Sequence, residues 1–142
     1  MGDINHITTV WKGNMAFESN NPSGHSLRID VGEDAGGEGS GHRPKALMLT
    51  SLAGCSGLDV ASLIKKMKLD VSEFKIETIA NLTDEHPRFY DKVKIEYHFF
   101  GPNLDENKLQ RAVDLSVEKY CGVMEMFRRF AELEIESVFH GN

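Results

Sequence analysis

The sequence predicts an α+β fold, because strand-like and helix-like segments are grouped along the chain rather than alternating one by one. Three short strands come first and a long apolar helix follows, and then come two strands, two helices and a last strand. Period-2 alternation marks the best-defined strands, and apolar residues on nearly every side mark the long helix. The 142 residues argue for one domain, residues 1–142.

The first part of the chain reads as β-structure. The three predicted strands lie in residues 7–11, 15–17 and 27–31. In the third, Leu27, Ile29 and Val31 alternate with polar residues, as in a strand with one buried face. The segment that follows, 34–44 (DAGGEGSGHRP), is rich in Gly and ends in Pro, so we expect a flexible loop.

The long helix is predicted from about Lys45 to about Lys68, and its apolar residues do not keep to one face. Such a helix is expected to be buried on most sides. Gly54 and Gly57 flank Cys55, and each costs about 1 kcal/mol against Ala inside a helix, so another backbone or a ligand is expected close by. One sheet cannot cover this much apolar surface, and an interlocked dimer is one way to supply the cover.

The second half of the chain is predicted from the same periodic patterns. Its predicted elements are strands at residues 74–82 and 93–99, helices at 106–120 and 123–130, and a strand at 133–139. Asp105 is a favourable N-cap for the first of these helices. Cys121 and Gly122 interrupt the helical pattern and separate the two helices.

The composition excludes several classes of protein. Hydrophobic residues make up 40% and charged residues 27%, with a net charge of −6 and no basic run interleaved with aromatics, which argues against nucleic acid as a partner. We find no apolar stretch long enough to cross a bilayer, and we expect no membrane association. The N-terminal residues lack the features of a secretory signal, so the expected location is the cytoplasm.

Cys55 and Cys121 are the two cysteines, and they are too far apart in the chain to suggest a disulfide scaffold. In a reducing cytosol a bond between them would be transient and functional. The alternative is that both are buried small hydrophobic residues. The six His residues show no metal-ligand spacing, so no metal is expected.

The reactive form of cysteine is the thiolate, which a helix N-terminus or a positive charge favours. Cys55 lies inside a helix and needs a neighbour to favour its anion. Cys121 lies where one helix gives way to the next, so free N–H groups and the positive helix dipole are expected near its sulfur.

Two segments resemble the OsmC/Ohr family. RPKALMLTSLAGCSGLDV, residues 43–60, is similar to the signature around that family's reactive cysteine, with its Pro-x-x-Leu start and small residues before Cys55. LSVEKYCGV, residues 115–123, is similar to the second-cysteine motif, and His86-Pro87 lies between the two as in many members. The resemblance runs from the first strand to the last and is nearest to the broader OsmC-like branch.

This resemblance implies an intertwined homodimer in which two antiparallel sheets wrap around central helices. It implies a thiol-dependent peroxidase: Cys55 reduces an organic hydroperoxide or hydrogen peroxide and becomes a sulfenic acid, Cys121 condenses with it to a disulfide, and an external dithiol reductant restores both thiols. No metal or organic cofactor is implied.

The chain departs from the family at two charged positions. Members carry an Arg on a strand and a Glu directly after the helix-starting Pro, whereas here Asp30 and Lys45 fall at these positions. A reversed pair would supply Lys45 as the cation, without the planar fork of Arg. The alternative is that both are solvated surface residues. This departure keeps open a weakly active or non-catalytic redox or ligand-binding protein in the stress response, and also a structural dimer with inert cysteines.

Overall fold

The computed structural model describes residues 2–141 and contains the predicted elements in the predicted order. They are β1 (Thr9–Trp11), β2 (Phe17–Asn20), β3 (Ser26–Ile29), a 3-10 turn (Glu33–Ala35), α1 (Pro44–Lys66), β4 (Glu73–Leu82), β5 (Tyr90–Phe100), α2 (Glu106–Leu115), a π-turn (Ser116–Tyr120), α3 (Gly122–Arg128) and β6 (Glu132–His140). The α+β prediction is confirmed. The chain forms two compact units that divide between Met48 and Leu49, and each is described by itself.

The first unit contains an antiparallel sheet in the order β1-β2-β3 and the Gly-rich segment that follows it. That segment folds around the buried Asp30, whose carboxylate accepts hydrogen bonds from Val31 N (2.8 Å), Glu38 N (3.2 Å) and Ser40 N (3.1 Å). Ser40 Oγ donates a fourth at 2.6 Å. The segment predicted as a flexible loop is therefore folded onto an internal carboxylate.

Glycine is required where this segment passes close to the chain before it. A Cβ on Gly37 would lie 2.2 Å from the carbonyl oxygen of Val31, and one on Gly41 would lie 2.5 Å from that of Arg28. Both distances are well inside van der Waals contact, so any larger residue would push the segment away from Asp30.

The second unit contains a sheet in the order β4-β5-β6. Strands β4 and β5 are antiparallel, as predicted, but β6 pairs with β5 in parallel, from Lys92 opposite Glu132 to Phe100 opposite His140. The prediction of two antiparallel sheets is wrong for this strand. After β5 the chain runs through α2, the π-turn and α3, and a crossover of this length lets the next strand return in the same direction.

The core of the second unit lies between one face of this sheet and the helices. The alternation in β5 is confirmed, since its inward residues are buried and the residues between them are more exposed. The buried hydrophobic residues of this core are Leu52, Val60, Tyr90, Val93, Ile95, Tyr97, Phe99, Leu109, Ala112, Val113, Cys121, Met124 and Phe127. The predicted N-cap of α2 is also present, because the Asp105 side chain accepts from Lys108 N at 3.1 Å.

Helix α1 is covered on one side only. Its buried residues, Leu52, Ser56 and Val60, are spaced four apart and share one face, while Leu58 is 75% exposed. By length and composition α1 is apolar enough to cross a membrane, so the expectation that no such stretch exists was wrong. A core helix of a soluble protein has the same composition, and Leu52 and Val60 do pack in the core.

Candidate functional site

Cys55 lies in the middle of α1, one residue before the buried Ser56, and is half-buried as a free thiol. Of the two glycines that flank it, Gly57 packs closely: a Cβ there would lie 3.2 Å from Ile76 Cδ1 on β4. A Cβ on Gly54 would meet nothing within 4 Å. The close approach expected at both glycines is therefore present at Gly57, where it is a side chain of the sheet that comes near.

Cys121 lies between the π-turn and α3 and is buried, with 4% of its surface exposed. Its amide donates to the carbonyl of Ser116 at 2.9 Å, the i→i+5 bond that closes a π-turn. Its sulfur accepts from Met124 N at 3.3 Å and so caps α3. The interruption predicted at Cys121 and Gly122 is thus a wide turn followed by a capping cysteine.

The two thiols lie together although they are far apart in the chain. The Cys55 side chain lies close enough to Cys121 to raise the pKa of the Cys121 thiol, and both side chains belong to the same packed cluster. Cys55 is the less buried of the two thiols, and Cys121 is buried. An arrangement of this kind allows one sulfur to meet a solute while the other stays within reach behind it.

Burial raises the pKa of the Cys121 thiol to about 11. The hydrogen bond from Met124 N lowers this pKa, but the contact with Cys55, the charge of Cys55 and the charge of Asp59 all raise it. The N–H group at the start of α3 was expected to favour the anion, and burial outweighs it. Cys121 is therefore a neutral thiol at physiological pH.

Three buried hydroxyl groups and one carboxylate form a chain of hydrogen bonds beside the thiols. We call its four residues, Ser56, Asp59, Tyr97 and Ser116, the hydroxyl network. Ser56 Oγ lies 2.6 Å from Tyr97 Oη and 2.7 Å from Ser116 Oγ. Ser116 Oγ donates to Asp59 Oδ2 at 3.0 Å and lies 3.3 Å from the carbonyl of Ser56. The network joins α1, β5 and the π-turn at one point.

The hydroxyl network has a direction. The single hydroxyl hydrogen of Ser116 is donated to Asp59, so Ser56 donates to Ser116 and Tyr97 donates to Ser56. Burial raises the pKa of Tyr97 to about 12, so the phenol keeps the proton that it donates. Because the three hydroxyl residues are fully buried, each would lose free energy if its partner were removed.

Sequence reasoning missed the hydroxyl network. Tyr97 lies in the strand predicted at residues 93–99 and Ser116 in the helix predicted at 106–120, and neither pattern reveals that these side chains are buried and both hydrogen-bonded to Ser56. The available signals were Ser56, directly after the cysteine, and Asp59, four residues after Cys55 and so on the same helix face.

Asp30 and Lys45 belong to the first unit, and no ion pair joins them within residues 2–141. The loop donors occupy the Asp30 carboxylate, and the hydrogen bond from the Ser40 side chain, with those from the backbone, holds the pKa of Asp30 well below its usual range. Lys45 lies exposed in the first turn of α1. Asp30 is therefore not the solvated strand residue of the alternative interpretation. The same stretch, 2–141, contains no group of three or more His, Cys, Asp or Glu side chains arranged to hold a metal ion.

The comparisons with known proteins agree with each other. The family model "OsmC-like protein" matches residues 37–136. Protein YhfA of Escherichia coli K12 is 30% identical over 120 residues, which cover 84% of this chain and 86% of that protein.

Solved structures match over nearly the whole chain. A hypothetical protein from Aquifex aeolicus VF5 superposes with a TM-score of 0.86 at 28% identity, covering 99% of each chain. A Legionella pneumophila protein described as an organic hydroperoxide resistance protein OsmC superposes with a TM-score of 0.69 at 15% identity, covering 96% of this chain and 97% of that one, which is a likeness of fold.

Proposed function

The chain belongs to the OsmC-like protein family, and from this premise we propose that it is a thiol-dependent peroxidase acting on organic hydroperoxides or hydrogen peroxide. The observation that carries the proposal is the contact between two free thiols of different burial, Cys55 and Cys121. In the proposed reaction Cys55 is the peroxidatic thiol and Cys121 the resolving thiol.

The proposed chemistry has two steps and a reset. The Cys55 thiolate attacks one peroxide oxygen, the O–O bond breaks, and the departing alkoxide takes up a proton and leaves as the alcohol, or as water from hydrogen peroxide. Cys121 sulfur then bonds to Cys55 sulfur, the S–O bond breaks, and the hydroxyl leaves with the Cys121 proton as water. An external dithiol reduces the disulfide by exchange.

The burial of the two sulfurs supports this division of roles. Cys55 is the more exposed of the two, so a peroxide reaches it first. Cys121 is buried and carries its proton at neutral pH, which keeps it out of the first step and supplies the proton that the second step needs. Its N-cap bond holds the sulfur in place meanwhile.

The charged residues of the first unit take smaller parts in the proposal. We propose that Lys45, exposed in the first turn of α1, supplies the cation that Arg supplies in other members of the family. Asp30, whose oxygens are occupied by loop donors, shapes the segment that leads into α1 and does not touch the reactants. The whole chain, residues 1–142, acts as one domain.

A homodimer is the proposed assembly. The single chain leaves Met48 and Leu58 of α1 46% and 75% exposed, and a second copy would remove this apolar surface from water. A hydroperoxide-resistance role of the kind named for the Legionella protein fits a small stress-response enzyme of the cytoplasm.

The test is consumption of cumene hydroperoxide in the presence of a dithiol reductant, with wild type beside Cys55→Ser and Cys121→Ser. We expect Cys55→Ser to lose turnover to the level without protein. In a separate assay without the dithiol, which would itself reduce a sulfenic acid, Cys121→Ser should consume one equivalent and hold a sulfenic acid, detected as a dimedone adduct by mass spectrometry. Equal turnover by wild type and Cys55→Ser would contradict the proposal.

A second candidate function is a redox or ligand-binding protein of the stress response that turns over slowly or not at all. The negative charge of Asp59 raises the pKa of Cys121 and so opposes a thiolate at that sulfur, and this observation favours the second candidate. Its signature would be covalent modification of Cys55 by a peroxide or thiol reagent with negligible hydroperoxide consumption over many equivalents.

A further inference from the structure

We propose that Ser116 and Asp59 are positioning residues for disulfide formation, because their side-chain bond ties the π-turn that carries Cys121 to the helix that carries Cys55. This inference rests on the proposed Cys55–Cys121 disulfide. It assigns Ser116 and Asp59 an effect on disulfide formation, the second step of the reaction, and no effect on the attack of Cys55 on the peroxide.

The geometry begins at the π-turn. Ser116 is its first residue, and the carbonyl of Ser116 accepts the amide of Cys121 at 2.9 Å. Wherever Ser116 is held, the backbone of Cys121 is held too. A wide i→i+5 turn is a rare insertion in a helix and is frequent at functional sites.

The contacts that hold Ser116 come from α1, within one turn after the first cysteine. Ser116 Oγ lies 2.7 Å from Ser56 Oγ and 3.0 Å from Asp59 Oδ2. Ser56 follows Cys55 directly and Asp59 lies four residues after it, on the same helix face. The two partners of Ser116 therefore move with Cys55, and their bonds tie the backbone of Cys121 to the helix that carries Cys55.

The disulfide step makes this positioning matter. The new S–S bond forms in line with the departing S–O bond, and the partner sulfurs of a disulfide must meet a narrow geometry. Cys121 is oxidised, the sulfenyl sulfur of Cys55 is reduced, and the hydroxyl and the thiol proton leave as water. Small displacements of reacting groups cost large factors in rate. The first step involves only Cys55 and the peroxide, so the anchor of Cys121 does not enter it.

The experiment separates the two steps with Ser116→Ala and Asp59→Ala. First, the equilibrium of the Cys55–Cys121 disulfide against dithiothreitol is measured by mass spectrometry; we expect each variant to favour the dithiol by about tenfold. Second, disulfide formation after one equivalent of cumene hydroperoxide is compared with dimedone-trapped sulfenic acid formation in the Cys121→Ser background. The disulfide rate should fall about tenfold while sulfenic acid formation changes by less than about twofold.

Two further variants make the result specific. Asp59→Asn keeps an oxygen that accepts from Ser116, so it should restore the dithiothreitol equilibrium to near the wild-type value. Ser137→Ala removes a buried hydroxyl that has no hydrogen-bond partner within the described chain, and serves as the matched serine control with no change in either step. Asp59→Ala replaces a half-buried residue and keeps the test available if Ser116→Ala does not fold.

A disulfide equilibrium within twofold of wild type in both alanine variants would overturn the proposal. Equal slowing of both steps would overturn it too, since that is what a general loss of structure produces. A chain that consumes no hydroperoxide refutes the peroxidase function instead, and the dithiothreitol equilibrium still tests the positioning by itself.

Discussion

Two carboxylates of this chain, each bonded to a serine hydroxyl, have opposite surroundings. Asp30 in the first unit is buried and accepts four hydrogen bonds, three of them from backbone N–H groups. Asp59 in the second unit is half-buried, accepts a hydrogen bond from Ser116 and raises the pKa of Cys121. A carboxylate that accepts several backbone hydrogen bonds holds that backbone in place. A carboxylate with few hydrogen-bond partners mainly exerts its charge on neighbouring groups.

The largest effect on stability is expected from Asp30→Ala compared with Asp59→Ala. Removing Asp30 leaves the amides of Val31, Glu38 and Ser40 without their acceptor, whereas removing Asp59 takes one acceptor from Ser116, a loss of about 1 kcal/mol. We expect Asp30→Ala to lower the Tm at least about twice as much. Thermal unfolding followed by circular dichroism measures both, and equal losses would remove the distinction between the two sites.

Tyr97→Phe should destabilise the chain by about 1–2 kcal/mol, because it deletes the first donor of the hydroxyl network while keeping the ring in the core. Ser56 then gains no replacement donor, since its surroundings are buried. Urea unfolding gives the change in free energy. Ser137→Ala, which deletes a hydroxyl without a hydrogen-bond partner in residues 2–141, is the control and should be nearly neutral. An equal cost for both would mean that the hydroxyl network adds nothing to stability.

The acid sensitivity of the chain should depend on Asp30. Its pKa is held below the ordinary value by Ser40, so the folded state prefers the ionised form more than the unfolded state does. The contribution is therefore complete above the unfolded pKa and is lost as the pH falls below about 5 toward the lower folded value. Urea midpoints between pH 7 and pH 3 should fall less steeply in Asp30→Asn than in wild type. Parallel slopes would contradict this assignment.

The order of the elements could be predicted from the sequence because burial leaves a periodic pattern. Alternation marked β3, β4 and β5, and the interruption at Cys121 marked the turn between two helices. The direction of β6 could not be predicted this way, since parallel and antiparallel strands alternate alike. The burial of Asp30 was also hidden, because alternation assigned it to the polar face and only the folded segment covers that face.

The candidate site was accessible in part. Motif resemblance singled out Cys55 and Cys121, but no pattern along the chain distinguishes a core serine that bonds a carboxylate from one that fills space. Ser56, Tyr97 and Ser116 come from three different elements, separated by at least 19 residues in the chain. Their hydrogen bonds form only when the three elements pack together, so the hydroxyl network is visible only in the folded structure.

The smallest effect that we expect is that of the Asp59 charge on the pKa of Cys121. In the Cys55→Ser background, Asp59→Asn removes the negative charge that raises the pKa of Cys121 and leaves burial, the main cause, unchanged. The pH at which the Raman S–H band disappears should therefore fall relative to Cys55→Ser alone. Asp114→Asn, an exposed carboxylate on α2, is the charge-matched control and should leave the midpoint in place.

If both variants move the midpoint equally, the cause is the net charge of the chain, and Asp59 has no special relation to the thiols. If neither moves it, solvent screens the half-buried carboxylate, and its proposed role is reduced to the bond that it accepts from Ser116.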